Sequence, residues 1–262
     1  MSEYQHWLLR EEGRIATLSL NRTDHANNLT VETFQELRNV TGQLQNNQDI
    51  WVVIVEGMGK HFSTGVDIAV LSLMTDVSES RFREALRDLQ ECLDSFEALE
   101  KPTIAKLRGF CLGGGVILAL CCDFRIASQR TIMGFPEVKR GLPVIMGTQR
   151  VTRIAGVGLT KEMILLGDFI KVSDAEKHGL VHKVVPPEKL DQAVMSLAEK
   201  FIKLPPRTVA GAKRIIDAGS HLSLRASQEL EIDVQAELLE SPDFKEAIGS
   251  FIEGRPPSFV GE

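Results

Sequence analysis

No apolar run in this 262-residue chain approaches the ~18 residues that a membrane-spanning helix needs. Met1 to Arg10 lacks a basic flank followed by an apolar stretch, so no secretory leader is expected. Basic residues are in deficit, 30 Lys and Arg against 36 Asp and Glu, for a net charge of −6 and a pI of about 5.6. That balance argues against bulk binding to nucleic acid or to an anionic membrane, both of which need a basic face. It still permits a local basic pocket for a phosphate group. Cysteines are few (Cys92, Cys111, Cys121 and Cys122), and no pair has metal-ligand spacing. Buried, reduced thiols in a cytoplasmic protein are the expectation, with no metal site. Fixed-period repeats and low-complexity tracts are also missing. What remains is 43% hydrophobic and 25% charged with a mean hydropathy of −0.03, a globular composition able to bury a large core.

Periodicity then gives an order of elements. Arg14 to Leu20 alternates and reads as a strand. Thr30 to Leu44 spaces Val31, Phe34, Leu37 and Val40 as an amphipathic helix does. Trp51 to Val55 is a continuous apolar run, as expected of a parallel strand buried on both faces. Asp67 is placed to cap a helix beginning at Ile68. Ser80 to Leu99 is predicted helical, with Lys101-Pro102 beyond its end. Thr103 to Leu107 and Phe124 to Ala127 read as strands, with an apolar helix Val116 to Cys122 between them. Ser173 and Glu176 have capping-box spacing, and Val181 to Val185 resembles a late strand. Beyond Pro187 the pattern is helical to about Ile252, with breaks at Pro205-Pro206, Gly219 and Ser241-Pro242.

Three segments could carry chemistry. Gly113-Gly114-Gly115 lies between a strand and a helix, where backbone N–H groups have no internal partner and a ligand can come close. His61 to Ile68 (HFSTGVDI) also follows a strand and precedes a helix, and could present a second N–H. Gly134-Phe135-Pro136-Glu137-Val138 sets a carboxylate among apolar neighbours. If buried, Glu137 would have a raised pKa suited to proton transfer.

In combination these stretches resemble the crotonase (enoyl-CoA hydratase/isomerase) superfamily. The matching residues are Leu20-Asn21-Arg22 with Asn27 and Leu29, the HFSTGVDI stretch, Lys101 to Ala105 followed by Gly109 to Gly115, and Cys122 to Ala127. Gly134 to Glu137, Gly147-Thr148-Gln149-Arg150, Ala175 with Gly179-Leu180-Val181, and the closing Gly254 to Phe259 complete the set. The resemblance implies an α/β spiral of ββα repeats over residues 1–195 and a helical oligomerisation region over 196–262. It implies homo-trimers, or dimers of trimers, and an acyl-CoA substrate with no other cofactor and no metal. It places oxyanion donors at the backbone N–H groups of Val66 and Gly114, and the adenine near Gly65, Val66, Asp67 and Ile68. Ala26, Gly113, Ile117, Pro136 and Leu142 complete the implied substrate-binding set, with Glu137 as the acid/base.

The chain also departs from that pattern. Hydratases of the family typically carry a first glutamate two residues after the triple glycine, where this chain has Ile117, and a second that matches Glu137. Isoleucine neither transfers a proton nor orients water. One carboxylate with an oxyanion hole suits double-bond isomerisation, which is the leading reading. Hydration or a hydratase/lyase reaction, decarboxylation, and acyl-CoA binding without turnover stay open, although a binding protein would need no acid at Glu137. Ile117, Val144, Ile145 and Met146 suggest an apolar pocket. The basic pair common before Asn27 is His25-Ala26 here, and His25 and His61 read as turn and loop-packing residues.

Overall fold

The computed structural model describes residues 4–73 and 77–262. Six strands form the main sheet in the order β1-β2-β3-β4-β6-β9: β1 (Trp7–Glu12), β2 (Ile15–Leu20), β3 (Val52–Gly57), β4 (Thr103–Leu107), β6 (Phe124–Ser128) and β9 (Lys183–Val185). Among the described residues of this sheet, only the β1–β2 pair is antiparallel. The apolar run at Trp51 to Val55 is explained by two cores. Val53 and Val55 pack on one side of the sheet with Ala105, Leu107 and Ala127, while Val52 and Ile54 pack on the other with Ile104, Ile126 and Val194. A strand covered on both faces has no solvent side to encode.

The connections explain the spiral. β4 runs almost directly into β5 (Phe110–Leu112), and β6 into β7 (Ile132–Gly134), before α4 (Gly114–Leu120) and α5 (Thr148–Leu166). β5 and β7 pair in parallel, and β8 (Phe169–Lys171) adds antiparallel to β7. Two single bridges, Ser63 to Cys111 and Leu29 to Val66, extend this second layer toward the N-terminal end of the chain. Each ββα turn therefore contributes one long strand to the main sheet and one short rung to the second layer.

Around this lie α1 (Val31–Asn46), capped by Thr30, α2 (Ile68–Leu73), whose Ala69 N–H donates to Asp67, and α3 (Glu79–Glu97), capped by Ser78. After α6 (Val172–Lys177), helices α7 (Leu190–Phe201), α8 (Pro206–Gly219), α9 (Leu224–Leu238) and α10 (Pro242–Glu253) follow, with breaks where proline and glycine predict them. α7 runs through residue 195 and packs on the outer face of the sheet, with Leu190, Val194 and Ala198 buried. Among the described residues no helix is long and apolar enough to cross a membrane. All four cysteines are free and buried.

Some expectations need correction. α6 begins at Val172, with Lys171 before it and no side-chain cap. Ser173 therefore lies inside the first turn, and Glu176 accepts from Val184 N–H instead of closing a capping box. The late strand is limited to Lys183–Val185 because Leu180 and Val181 N–H groups turn back to Ala175. β1, β5, β7, β8 and α5 had no sequence expectation. The β1 strand reads WLLREE and buries only Trp7 fully, so it shows no alternation. It is anchored by Glu36, whose carboxylate accepts from the N–H groups of Gln5, His6 and Trp7.

Helix α8 is tied to the core by a half-hidden charge pair. Asp123 accepts from Thr103 N–H at 2.7 Å and Oγ1–H at 2.9 Å, and from Lys213 of α8 at 3.0 Å. Asp123→Ala leaves a buried N–H and a shielded ammonium without partners. A loss of about 3 kcal/mol is expected from the urea unfolding midpoint; a change within about 0.5 kcal/mol would mean that α8 is held by packing alone.

Candidate active site

Four successive rungs of the second layer bring the sequence-predicted groups together. Leu29 N–H donates to Gly65 C=O and Asp67 N–H donates to Leu29 C=O, each at 2.9 Å. Alternation along an extended segment then aims Val66 N–H to the opposite side. The next rung is set by Leu112 N–H on Ser63 C=O, and the one after by Gly113 N–H on Gly134 C=O. Gly114 is the first residue of α4, so its N–H has no partner within the helix. Among the described residues neither Val66 N–H nor Gly114 N–H donates to another backbone group. The two are neighbours: a Cβ built on Gly114 would sit 3.4 Å from Val66 N and 3.1 Å from Val66 Cγ2.

Glu137 comes from the next rung. Gly134 ends β7, and Pro136–Arg140 forms a 3-10 turn closed by left-handed Gly141. Leu142 N–H donates to the Glu137 carbonyl at 3.2 Å and closes the turn. The carboxylate lies over Gly113, whose φ is +51°; a Cβ there would collide with Glu137 Oε1. Glu137 Oε2 is buried and has no hydrogen-bond partner among the described residues. Burial raises its pKa above the ordinary carboxylate value, opposed by its own backbone N–H and by Arg140.

The remaining wall is apolar. Ile117 is 7% exposed, one turn into α4. It converges with Phe135 and Val144 on Gly147: a Cβ at Gly147 would meet Ile117 Cγ1 at 2.8 Å and the other two side chains at 3.2 Å. Met146 adopts φ +64° and packs against the core. Its carbonyl accepts from Arg150 Nη1 at 2.6 Å, and Arg150 also pairs with Asp94 and Glu97 of α3. Ile145 points away from this wall and is 43% exposed.

Other sequence candidates lie farther out. Ala26 is left-handed and its carbonyl is taken by Thr64 N–H and Oγ1. Gly65, at φ +90°, backs onto Gly114 N. Asp67 is occupied by Asn28 and Ala69 N–H. Ile68 is 64% exposed, and Pro136 and Leu142 are half-buried. His61 packs within its loop: Nδ1 accepts from Phe110 N–H, the ring stacks on Phe110, and burial lowers its pKa. His25 is exposed. Asn28, which holds Asp67, was not among the sequence candidates, and nothing in its local pattern marks it.

The model of the enoyl-CoA hydratase/isomerase family matches residues 10–262. A short-chain-enoyl-CoA hydratase of Clostridium acetobutylicum is 34% identical over 259 residues, 97% of each chain. A peroxisomal Δ(3,5)-Δ(2,4)-dienoyl-CoA isomerase of Arabidopsis thaliana is 30% identical, covering 93% of this chain and 91% of that one. The crystal structure of an enoyl-CoA hydratase from Bacillus anthracis superposes with a TM-score of 0.92 at 32% identity, over 98% of this chain and all of the other.

The raised pKa of Glu137 has a stability consequence. The folded state binds this proton more tightly than the unfolded state does, so the associated stability is present at low pH and is lost as pH rises through the folded pKa. Glu137→Gln resembles the protonated form. Its melting temperature should exceed that of the parent at pH 8, with the gap closing toward pH 4. A gap independent of pH would show that Glu137 pays no desolvation cost.

Proposed function

The chain belongs to the enoyl-CoA hydratase/isomerase family, and from that membership we propose that it moves a carbon–carbon double bond within an enoyl-CoA thioester, using Glu137 as the only proton carrier. Ile117 carries this reading: it is buried against Phe135, Val144 and Gly147, so none of these described residues offers a second acid or a side chain to polarise a water. The thioester oxygen sits between Val66 N–H and Gly114 N–H. Both donors are backbone groups fixed by the rungs before substrate arrives, so they stabilise developing negative charge with little reorganisation.

Glu137 removes a proton from the α-carbon of a 3-enoyl thioester, and the electron pair passes into the carbonyl to form a dienolate. The same carboxyl group returns that proton at the γ-carbon, leaving the 2-enoyl thioester and a regenerated carboxylate. Nothing else is consumed or released. A buried carboxylate with an elevated pKa is a stronger base than an exposed one and is closer to proton balance with a carbon acid.

Hydration is the second reading, favoured by the hydratase names that dominate among the relatives, including the Clostridium acetobutylicum enzyme. It requires one carboxylate to activate water and also supply the proton.

Homo-oligomerisation through the C-terminal helices is also part of the proposal. Its support is their apolar exposure: Ile216 is 73% exposed, Phe251 85% and Ile252 78%. Light scattering at micromolar concentration should give a trimer or a multiple of it, and a monomer would remove this part.

Incubation of the protein with trans-3-hexenoyl-CoA in deuterated water separates the reactions. Double-bond movement without added water is the expected result, with deuterium entering only to the extent that the proton on Glu137 exchanges with solvent before it is returned. In Glu137→Gln, turnover should fall by roughly 10²–10⁴-fold while acyl-CoA affinity is kept. Addition of water to trans-2-hexenoyl-CoA by the parent enzyme, with no conversion of the trans-3 thioester, would establish hydration instead.

A further inference from the structure

Before Val66, its segment is held to the neighbouring chain by Thr64 N–H and Oγ1 on Ala26 C=O and by Ser63 Oγ on Asn27 C=O. At Val66 itself the link is one bridge, with Leu29 N–H on Gly65 C=O and Asp67 N–H on Leu29 C=O. Beside the bridge lies a side-chain clamp. Asn28 Nδ2 donates to Asp67 Oδ2 at 2.7 Å, and Asn28 Oδ1 accepts from both Nε and Nη2 of Arg22 at 3.1 Å. The amide orientation is dictated by its partners, because a guanidinium only donates and a carboxylate only accepts. The other Asp67 oxygen accepts from Ala69 N–H at 2.8 Å. Arg22 is itself braced: Nη1 lies 2.8 Å from His6 Nε2, which must accept, leaving Nδ1–H for Thr33 Oγ1 at 3.2 Å.

Asn28 thus joins an arginine on one side of the bridge to an aspartate on the other, one residue beyond Val66. Removing it leaves the bridge itself with two backbone hydrogen bonds and takes one partner from each charged group, Oδ2 of Asp67 and the Nε and Nη2 donors of Arg22. A charge-assisted relay of this kind resists lateral sliding of one segment over the other. We infer that Asn28 is a positioning residue that holds Val66 N–H in register with Gly114 N–H. This rests on the proposed role of those two groups as oxyanion donors.

The test uses butanoyl-CoA carrying ¹³C at the thioester carbonyl, which has no double bond to move. Its C=O stretch is read by difference infrared spectroscopy when bound to the full-length protein. The parent protein should shift the band to lower frequency, because two N–H donors polarise the carbonyl. Asn28→Ala should lose at least about half of that shift, with kcat falling about 10- to 100-fold, as expected of a displaced donor. KM should change less than about threefold, since ground-state binding is spread over the whole thioester. Asn28→Asp keeps the acceptor for Arg22 but sets a carboxylate against Asp67. It should show the same two losses, and it carries the test if the alanine variant does not fold. A full band shift and unchanged kcat in either folded variant would overturn the role of Asn28 and leave the oxyanion reading standing. No shift in the parent protein would overturn both.

Discussion

The ladder of short rungs in the second layer is the constraint on which the site depends. Each ββα turn delivers one rung, and N–H to C=O hydrogen bonds from Leu29 to Gly65, Leu112 to Ser63 and Gly113 to Gly134 set the rungs side by side. Residues distant in sequence (Leu29, Val66, Gly114 and Glu137) become neighbours at one end of that ladder. Backbone hydrogen bonds set this register, and at the Leu29–Val66 bridge the Asn28 side chain adds its clamp to them. Clearance between the rungs depends on glycine. Gly113 leaves room for the Glu137 carboxylate, and Gly114 for Val66. A methyl group at either position would enter space that the next rung already fills.

The ladder in turn needs the main sheet to hold its turns at a constant spacing. The two-sided strands β3, β4 and β6 do this because both faces are buried, by the second layer with α1 and α3 on one side and by α7 on the other. Two cores on one sheet make its position hard to shift, since a one-residue slip would exchange Val53 and Val55 with Val52 and Ile54. Arg125, 4% exposed, ties these layers together by donating to the carbonyls of Leu180, Ala119 and Cys122. A buried guanidinium of this kind is tolerated because its donors are used.

Much of this was legible in the sequence. Strands β2, β3, β4 and β6 announce themselves by alternation or by continuous apolar runs, and the C-terminal helices by period and by proline and glycine breaks. The three-residue rungs β5, β7 and β8 were not legible, because three residues cannot establish a period and their pairing partners lie in other turns. β1 was missed for a different reason: its anchor is a carboxylate in α1, a tertiary contact with no local signature. At the site, the triple glycine, Val66 and Glu137 stood out through their resemblance to a family. Asn28 did not, because its meaning lies in Arg22 and Asp67, which are far apart in the chain and meet only through the fold.

The same division separates what the scaffold supplies from what selects the reaction. Among the described residues the rungs provide two N–H groups without backbone partners and a carboxylate beside them, which under the proposed reading serve chemistry passing through a thioester enolate. Under that reading the choice among such reactions falls to the neighbouring side chains. There Ile117, Phe135 and Val144 close around Gly147, and an apolar wall acts in two ways. In the proposed reaction it withholds a second proton carrier, and it lowers the local dielectric, which would strengthen the interaction of a developing oxyanion with its donors. The unsatisfied Glu137 Oε2 belongs to this balance. A carboxylate fully paired with protein donors would be a weak base, whereas one buried with a free oxygen retains its appetite for a proton. The burial that raises the pKa of Glu137 is therefore the same feature that the proposed proton transfer draws upon.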